Sequence, residues 1–391
     1  MKRTENQKGV ALIMVLAAIA VLTIITTDFM RITSVYTLGT INVHNELKAE
    51  YLSRSAVNLS RLLLAVQGVI SREMRQFRMR PPPLWQFADY FVMSFNDPAA
   101  LQMIGSVIGA PINEAKGFGN LEGEIQVTIV DEESKINLNV AAMGGIWQDI
   151  LARQLSTLFS PQIYDPIFDE SGSEGKKLSR EKLIAAIIDY VDSDDIVYGS
   201  PGYPEASAYE TDEDSPPVKN APFDDIEELH NVKGVTDDFW AAFVEPEPEH
   251  PEARTLTVWG SGLININTAD PLVMYAVLCS FASNPVIACS PENMQNIFSL
   301  IQYMMDVRSL LGVPFANTSR FVQNVGQGIE GIPGVALNTA DVNKYLTVDS
   351  ATFSIYATGK IGKSKKTMWV VVDTRGANAI TGGNVLYWKV I

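Results

Sequence analysis

The sequence predicts an α+β protein: a long N-terminal helix, an antiparallel β-sheet head, and a large helical domain inserted between the strands. A charge-free apolar run at 10–27 continues far downstream as apolar residues spaced by three and four, which is typical of one long helix. Strand-like alternation occurs at 123–130 and returns at 352–357, 367–373 and 385–391. Helical patterns dominate between these blocks. Strands on both sides of a helical block indicate an insertion rather than a doubly wound sheet.

The N-terminal segment predicts a membrane anchor preceded by a short leader. The apolar run from Val10 to Thr27 would form a helix of about 27 Å, enough to cross a hydrocarbon core. Basic residues precede it, so the leader should stay cytoplasmic and the rest should lie across the membrane. A secretory signal is cleaved after its apolar run. Here the obvious processing point, Gly9, lies before it, which is typical of a prepilin leader; an uncleaved signal anchor is the alternative.

Helix breakers and changes of composition divide the rest of the chain. The long helix should end near Arg78, because consecutive prolines follow at 81–83. Further helices are predicted at 147–159, 180–191, 224–232, 271–282 and 291–311. The predicted regions are a leader at 1–9, a transmembrane and stalk helix at 10–78, the first part of the head at 79–140, a mainly helical insertion at 141–345 with an acidic loop at 189–221, and a C-terminal β part at 346–391.

Composition and charge exclude several classes of function. The chain of 391 residues has a formal net charge of −15, which argues against nucleic acid as a partner. The acidic excess is concentrated between Glu181 and Glu252, a segment that contains 20 Asp and Glu residues and only 3 Lys. We find no nucleophile elbow, no phosphate loop with its lysine, no zinc-protease motif and no pairing of Cys with His. The sequence therefore predicts a protein that is not an enzyme.

The acidic loop predicts a cation site. Calcium binds six to eight oxygens from carboxylates and loop carbonyls. An EF-hand is excluded, because Val197 and Tyr203 stand where that motif needs Gly and Glu. Ordering so many like charges is costly unless a cation neutralises them. A solvated acidic loop is the alternative. The candidate ligands are Asp189, Asp192, Asp194, Asp195 and Glu205, with further oxygens available from Asp212, Glu213 and Asp214.

Two further patterns concern structure. Cys279 and Cys289 are ten positions apart and could close a small disulfide loop in an exported protein; two buried thiols are the alternative.

The motif apolar-Asn-apolar-Asn occurs at 136–139 and again at 264–267. We interpret both copies as strand-to-helix corners in which Asn or Thr caps the turn.

These motifs, in this order, resemble the K-type minor pseudopilins of bacterial type II secretion systems (GspK family). Met14 takes the fifth mature position, where most pilin-like proteins carry Glu. The absence of Glu at this position is typical of K-type subunits. The residues that carry the resemblance are the leader 8–15, the corner 136–139, the loop 189–195, Glu205 with Tyr209, the segment 222–229, the corner 264–269 and the late strand from Ser350 to Phe353.

The resemblance implies a single-pass inner-membrane precursor with a periplasmic head, cut by the prepilin peptidase after Gly9 and methylated on Val10. The mature subunit would sit at the tip of the pseudopilus, above the major pseudopilin, with the I- and J-type minor pseudopilins and the inner-membrane secretion platform as partners. It also implies structural calcium in the helical domain. A minor pilin of a type IV pilus is the alternative, and an anchored periplasmic enzyme with a metal in the acidic loop is a third hypothesis.

Overall fold

The computed structural model describes residues 5–76, 83–94, 123–170, 177–209, 217–247, 250–310, 315–376 and 382–391. The predicted helix end near Arg78 and the acidic residues Asp212, Glu213 and Asp214 lie outside these ranges, as do the first four residues of the leader and part of the acidic loop.

Helix α1 runs from Glu5 to Gln76 and forms both the anchor and one layer of the head. Its N-terminal part is apolar and exposed, and it is long and apolar enough to cross a membrane. Further along, small and aliphatic side chains such as Ala56, Val57 and Leu64 are buried against the sheet. This arrangement fits a single-pass membrane anchor that continues without a break into a soluble head.

The head contains an antiparallel four-stranded sheet in the order β1-β6-β7-β8. Its strands are β1 (Glu124–Asp131), β6 (Thr352–Ile361), β7 (Ser364–Asp373) and β8 (Asn384–Val390). The first strand pairs with β6 from Glu124 opposite Lys360 to Asp131 opposite Phe353. The chain therefore leaves the sheet after Asp131 and re-enters it at Thr352, so that the predicted limits 141 and 345 lie inside the insertion. This order of elements confirms the predicted α+β pilin-like fold.

The insertion is mainly helical and has a large core of its own. Its helices in the described residues are α3 (Ile146–Phe159), α4 (Arg180–Val191), α5 (Glu205–Tyr209), α6 (Asp237–Phe239), α7 (Pro271–Phe281), α8 (Pro285–Ala288), α9 (Met294–Leu310), α10 (Thr318–Gln327) and α11 (Thr339–Tyr345); α2 (Ala88–Ser94) belongs to the head. The helix predicted at 224–232 is instead a short 3-10 turn, Ile226–Asn231. Val232 is extended and Gly234 has a φ of 93°, so the chain turns away before an α-helix can propagate.

The two Asn motifs form equivalent corners. In each copy the first Asn accepts a 2.9 Å hydrogen bond from the backbone N–H of the second, Asn139 or Asn267. Asn139 then bonds the N–H and carbonyl of Phe223, and Asn267 does the same with Phe315. The cap of α7 is Asp270 rather than Asn or Thr. The short strands at these corners form two parallel pairs, β2 (Ile136–Asn137) with β3 (Leu256–Thr257) and β4 (Ile264–Asn265) with β5 (Leu346–Thr347).

A buried charged cluster joins the sheet to the insertion at the end of β1. Glu132 and Lys135 form a 2.9 Å ion pair in which both side chains are buried. Glu133 accepts hydrogen bonds from the N–H groups of Ala351 and Thr352, where the chain returns to the sheet. Burial, with the nearby carboxylate of Asp131, raises the pKa of Glu133 to about 7. These residues thus form a polar core that fixes both ends of the insertion.

Candidate cation site

A small hairpin after α4 brings separated carboxylates together. Helix α4 ends at Val191, and the extended backbone of the next residue, Asp192, turns the chain away from the helix axis. Ile196 and Pro204 then form an isolated antiparallel bridge, and the N–H of Glu205 donates to the carbonyl of Asp195 at 3.1 Å. Glycines 199 and 202, both with positive φ, allow the tight turn between the two arms. The hairpin therefore returns Glu205 to the end of α4.

Three of the five predicted ligands meet at this point. One carboxylate oxygen from each of Asp192, Asp194 and Glu205 lies within 4.8 Å of the others. Asp192 and Glu205 are buried, with exposed fractions of 4% and 3%, whereas Asp194 faces solvent. A site with two buried carboxylates and one at the surface is open on one side, so that a cation could enter from solvent.

The buried oxygens of this group lack hydrogen-bond donors. Both carboxylate oxygens of Glu205 and Oδ1 of Asp192 have no partner among the described residues. Burial first, and then the neighbouring carboxylates, raise the pKa of Glu205 to about 8 and that of Asp192 to about 7. Buried carboxylates are normally paired with donors or with a metal. The unsatisfied oxygens therefore fit a hard cation that would neutralise them.

The other two predicted ligands have different partners. The carboxylate of Asp189 accepts hydrogen bonds from the N–H of Tyr198 at 2.8 Å and from the hydroxyl of Tyr209 at 2.5 Å. Both oxygens of Asp189 are thus used inside the protein. The side chain of Asp195 accepts a 3.1 Å bond from Asn220, while its carbonyl holds Glu205. These two residues shape the loop rather than join the three-carboxylate group.

Two residues at the site were not predicted from sequence. Gln148 on α3 donates a 2.8 Å hydrogen bond to Oδ2 of Asp192 and orients that carboxylate. Asn220 has a φ of 49°, and its amide nitrogen donates to the carbonyl of Asp194 at 3.1 Å. Its Oδ1 is buried without a partner among the described residues, which makes it a candidate oxygen ligand. Asn tolerates the left-handed conformation better than most residues, but nothing near 220 in sequence signals a role in the acidic loop.

The donor set is compatible with calcium. Carboxylate and amide oxygens, with loop carbonyls and water, are the ligands that hard divalent cations take. Asp192, Asp194 and Glu205 would hold the ion, with Asn220 beside them. The bound ion would supply positive charge that stabilises the ionised carboxylates. This part of the structure offers oxygen ligands and neither His nor Cys, so a zinc-like site is disfavoured.

The remaining predicted site residues do not belong to the three-carboxylate group. Gly9 and Val10 lie in the exposed N-terminal part of α1. Cys279 and Cys289 are joined by a disulfide, with their Cα atoms 5.8 Å apart. The bond connects the end of α7 to the residue after α8 and closes the loop that the sequence suggested.

One family model matches part of the chain. The fold, with its long N-terminal helix and helical insertion, defines the class, a pilin-like α+β protein. Residues 134–244 match the model of the family described as "Type II secretion system (T2SS), protein K". This match contains the Asn139 corner and all the candidate ligands, and it confirms the predicted resemblance to K-type minor pseudopilins over this part of the chain.

The chain is similar to one from the crystal structure of the GspK-GspI-GspJ complex of the enterotoxigenic Escherichia coli type 2 secretion system, with 17% identity, a TM-score of 0.45, and coverage of 69% of this chain and 80% of that one. The comparison with curated protein sequences found no match.

Proposed function

We propose that this K-type minor pseudopilin acts at the tip of a type II secretion pseudopilus, where it nucleates or caps filament assembly without catalysing a reaction. The observation that carries this proposal is the combination of the protein K match at 134–244 with an apolar helix that emerges uncovered from the head. Outside the bilayer such a helix needs other apolar helices around it. Its partners are the I- and J-type minor pseudopilins and the major pseudopilin.

The position at the tip follows from two features of the chain. Met14 replaces the Glu that in most pilin-like proteins pairs with the amino terminus of a neighbouring subunit, so this chain is suited to a place with no subunit above it. The insertion between Asp131 and Thr352 makes the head bulky. A bulky head at the end of a rod would hinder addition of another subunit.

An absence of catalysis is supported by the surroundings of the histidines. In the part of the chain that the structure describes, the ring of His230 stacks on Trp240 with centroids 4.0 Å apart, and His250 contacts Glu252. His44 lies on α1 and is exposed. None of the three lies beside the carboxylate group, so it has no imidazole to act as a base. We propose that the group holds a structural calcium ion.

Processing at Gly9 provides the test of this function. The peptidase should release the mature chain in the inner membrane with Val10 first and methylated, and Gly9→Leu should block this step and abolish secretion of the system's substrates. Gly68→Leu is the matched control, because a Cβ atom added at either glycine meets no atom within 4 Å. The measurements are the N-terminal mass of the purified protein and the amount of exported substrate.

The possible outcomes separate the hypotheses. Normal maturation and secretion in the Gly9→Leu strain would contradict the proposal. Loss of surface pili and twitching with intact secretion would favour a minor pilin of a type IV pilus instead. Hydrolytic turnover by the purified chain that disappears in Asp192→Ala would favour an enzyme.

A further inference from the structure

The outer edge of β8 is a free edge of the sheet in the part of the chain that the structure describes. The strand order ends at β8, and β7 is its only neighbour among the described strands. Ile391 and Thr367 exchange two backbone hydrogen bonds, of 2.8 and 3.3 Å. Residues of an antiparallel strand direct their main-chain groups alternately to the two sides. The N–H and C=O groups of Trp388 and Val390 therefore point away from β7, to the side on which no described strand lies.

The side chains along this edge are apolar and exposed. Trp388 and Val390 have exposed fractions of 41% and 45%, and they lie opposite Val370 and Met368 on the sheet face that packs against α1. Exposed edges are normally protected by charges, prolines or a covering element, because their free main-chain groups can pair with another strand. Here the only charged side chain of β8, Lys389, points to the opposite face.

That opposite face of β8 is bordered by acidic residues of the insertion. The hydroxyl of Tyr387 donates to Asp225, and the ammonium of Lys389 donates to Glu227. Asp224 and Glu227 remain exposed to solvent. A strand placed beside β8 would therefore meet apolar side chains on one face. On the other face it would meet Lys389 within an acidic group, in which the four carboxylates at 224, 225, 227 and 228 outnumber the two lysines, Lys219 and Lys389. Because side chains of a strand alternate between faces, apolar residues alternating with Lys or Arg would complement both.

We propose that the free edge of β8 is a binding surface at which a partner protein adds one extended strand of alternating apolar and basic residues. Main-chain hydrogen bonds to Trp388 and Val390 would provide the pairing, and the two chemically different faces would select the partner's sequence. The bulge between Val371 and Val372 of β7 and the adjacent residues of β8 limits the regular edge to the last five residues, 387–391. This surface is separate from the cation site, and the inference does not depend on the position of the protein in a filament.

Residue-resolved hydrogen exchange of the full chain in detergent tests the surface. The probe is a blocked peptide of alternating valine and lysine, and a peptide of alternating valine and glutamate is the control. The valine-lysine peptide should slow exchange of the Trp388 and Val390 amides by about tenfold or more. The amides of Tyr387 and Lys389, which already bond to β7, should change less than about twofold. Each result that departs from this pattern counts against the proposal.

Two variants separate main-chain pairing from other contacts. Trp388→Pro removes an outward N–H without removing a bond to β7, so it should weaken peptide binding by about tenfold or more. Trp388→Phe keeps the amide and an aromatic ring, and should bind nearly as well as the wild type. If Trp388→Pro fails to fold, the hydrogen-exchange pattern of the wild type with the valine-lysine peptide still tests the proposed strand pairing.

Three outcomes would overturn the inference. Outward amides that are protected without peptide at every concentration would mean that this chain covers its own edge. Protection that rises with protein concentration would identify a second copy as the occupant. Equal binding of the valine-glutamate peptide would remove the charge argument on which the choice of partner rests.

Discussion

Replacing Glu205 by Gln tests the cation site in two ways, through the affinity for calcium and through the number of protons that calcium binding releases. Ligand carboxylates must be ionised to bind a cation, so binding releases any proton that they hold. With a pKa of about 8, Glu205 is about nine-tenths protonated at pH 7 in the cation-free protein, and Asp192, with a pKa of about 7, is about half protonated. Calcium binding at pH 7 should therefore release about 1.4 protons from the wild type and about one fewer from Glu205→Gln.

The same pKa values set the pH dependence of calcium affinity. If the two carboxyls titrate independently, competition by protons should weaken binding by about 500-fold between pH 8 and pH 6 in the wild type, but only about tenfold in Glu205→Gln. Titration calorimetry of the full chain in detergent measures both quantities when it is repeated in buffers of different ionisation enthalpy. Glu124→Gln is the matched control, because that carboxylate is exposed and pairs with Lys360 on the sheet.

The raised pKa of Glu205 should also make the cation-free protein less stable as pH rises. The raised pKa means that the folded, cation-free protein holds a proton on Glu205 that the unfolded chain, with a pKa near 4.5, has lost. The free energy of unfolding should therefore fall as pH rises from about 4.5 to about 8, and saturating calcium should remove this fall. Binding without proton release, or with the same pH dependence in wild type and Glu205→Gln, would refute the assignment of Glu205 as a ligand.

Three further predictions concern the framework around the site. Glu133→Gln should flatten the pH dependence of urea unfolding, because the raised pKa of about 7 makes the wild-type carboxyl lower stability as pH rises from about 4.5 to 7. Asn139→Ala and Asn267→Ala should each cost about 2–4 kcal/mol in urea unfolding, since each loses three hydrogen bonds to backbone groups, and only Asn139→Ala, beside the acidic loop, should also weaken calcium binding. Replacing Cys279 and Cys289 together by Ser should lower stability by about 3 kcal/mol through the small loop that they close, and an unchanged midpoint would contradict this.

The sheet was predictable because its signals are local. Alternation of apolar residues placed β1 within one residue, and the later strands lie at the predicted positions although β6 and β7 extend further along their hairpin. The turn at 226–231 was predicted as a helix because apolar spacing alone cannot show that a segment is too short to propagate one. The paired Asn motifs were recognisable as corners. Their main bonds, to Phe223 and Phe315, join residues 84 and 48 positions apart and have no local signal.

The sequence predicted which type of residue forms the cation site, but not which of the acidic residues come together. Asp192, Asp194 and Glu205 are brought together, whereas Asp189, in the same run of acidic residues, is buried against Tyr209. The sequence presents these carboxylates as equivalent, and only the direction of each side chain separates a ligand from a buried acceptor. Asn220 reaches the loop from beyond the run, where an isolated Asn has no distinguishing pattern.

The insertion packs against the sheet through contacts between residues that are far apart in the sequence, and no local pattern predicts these contacts. Asp225 and Glu227 belong to a strongly acidic segment and would be expected on a solvated surface, yet they contact Tyr387 and Lys389, 162 positions away. The aromatic side of the sheet, including Trp369, packs into the core of the insertion, while α1 covers the other face. The insertion is therefore the third layer of the head rather than a separate domain suspended from it, because removing it would expose the aromatic face of the sheet to water.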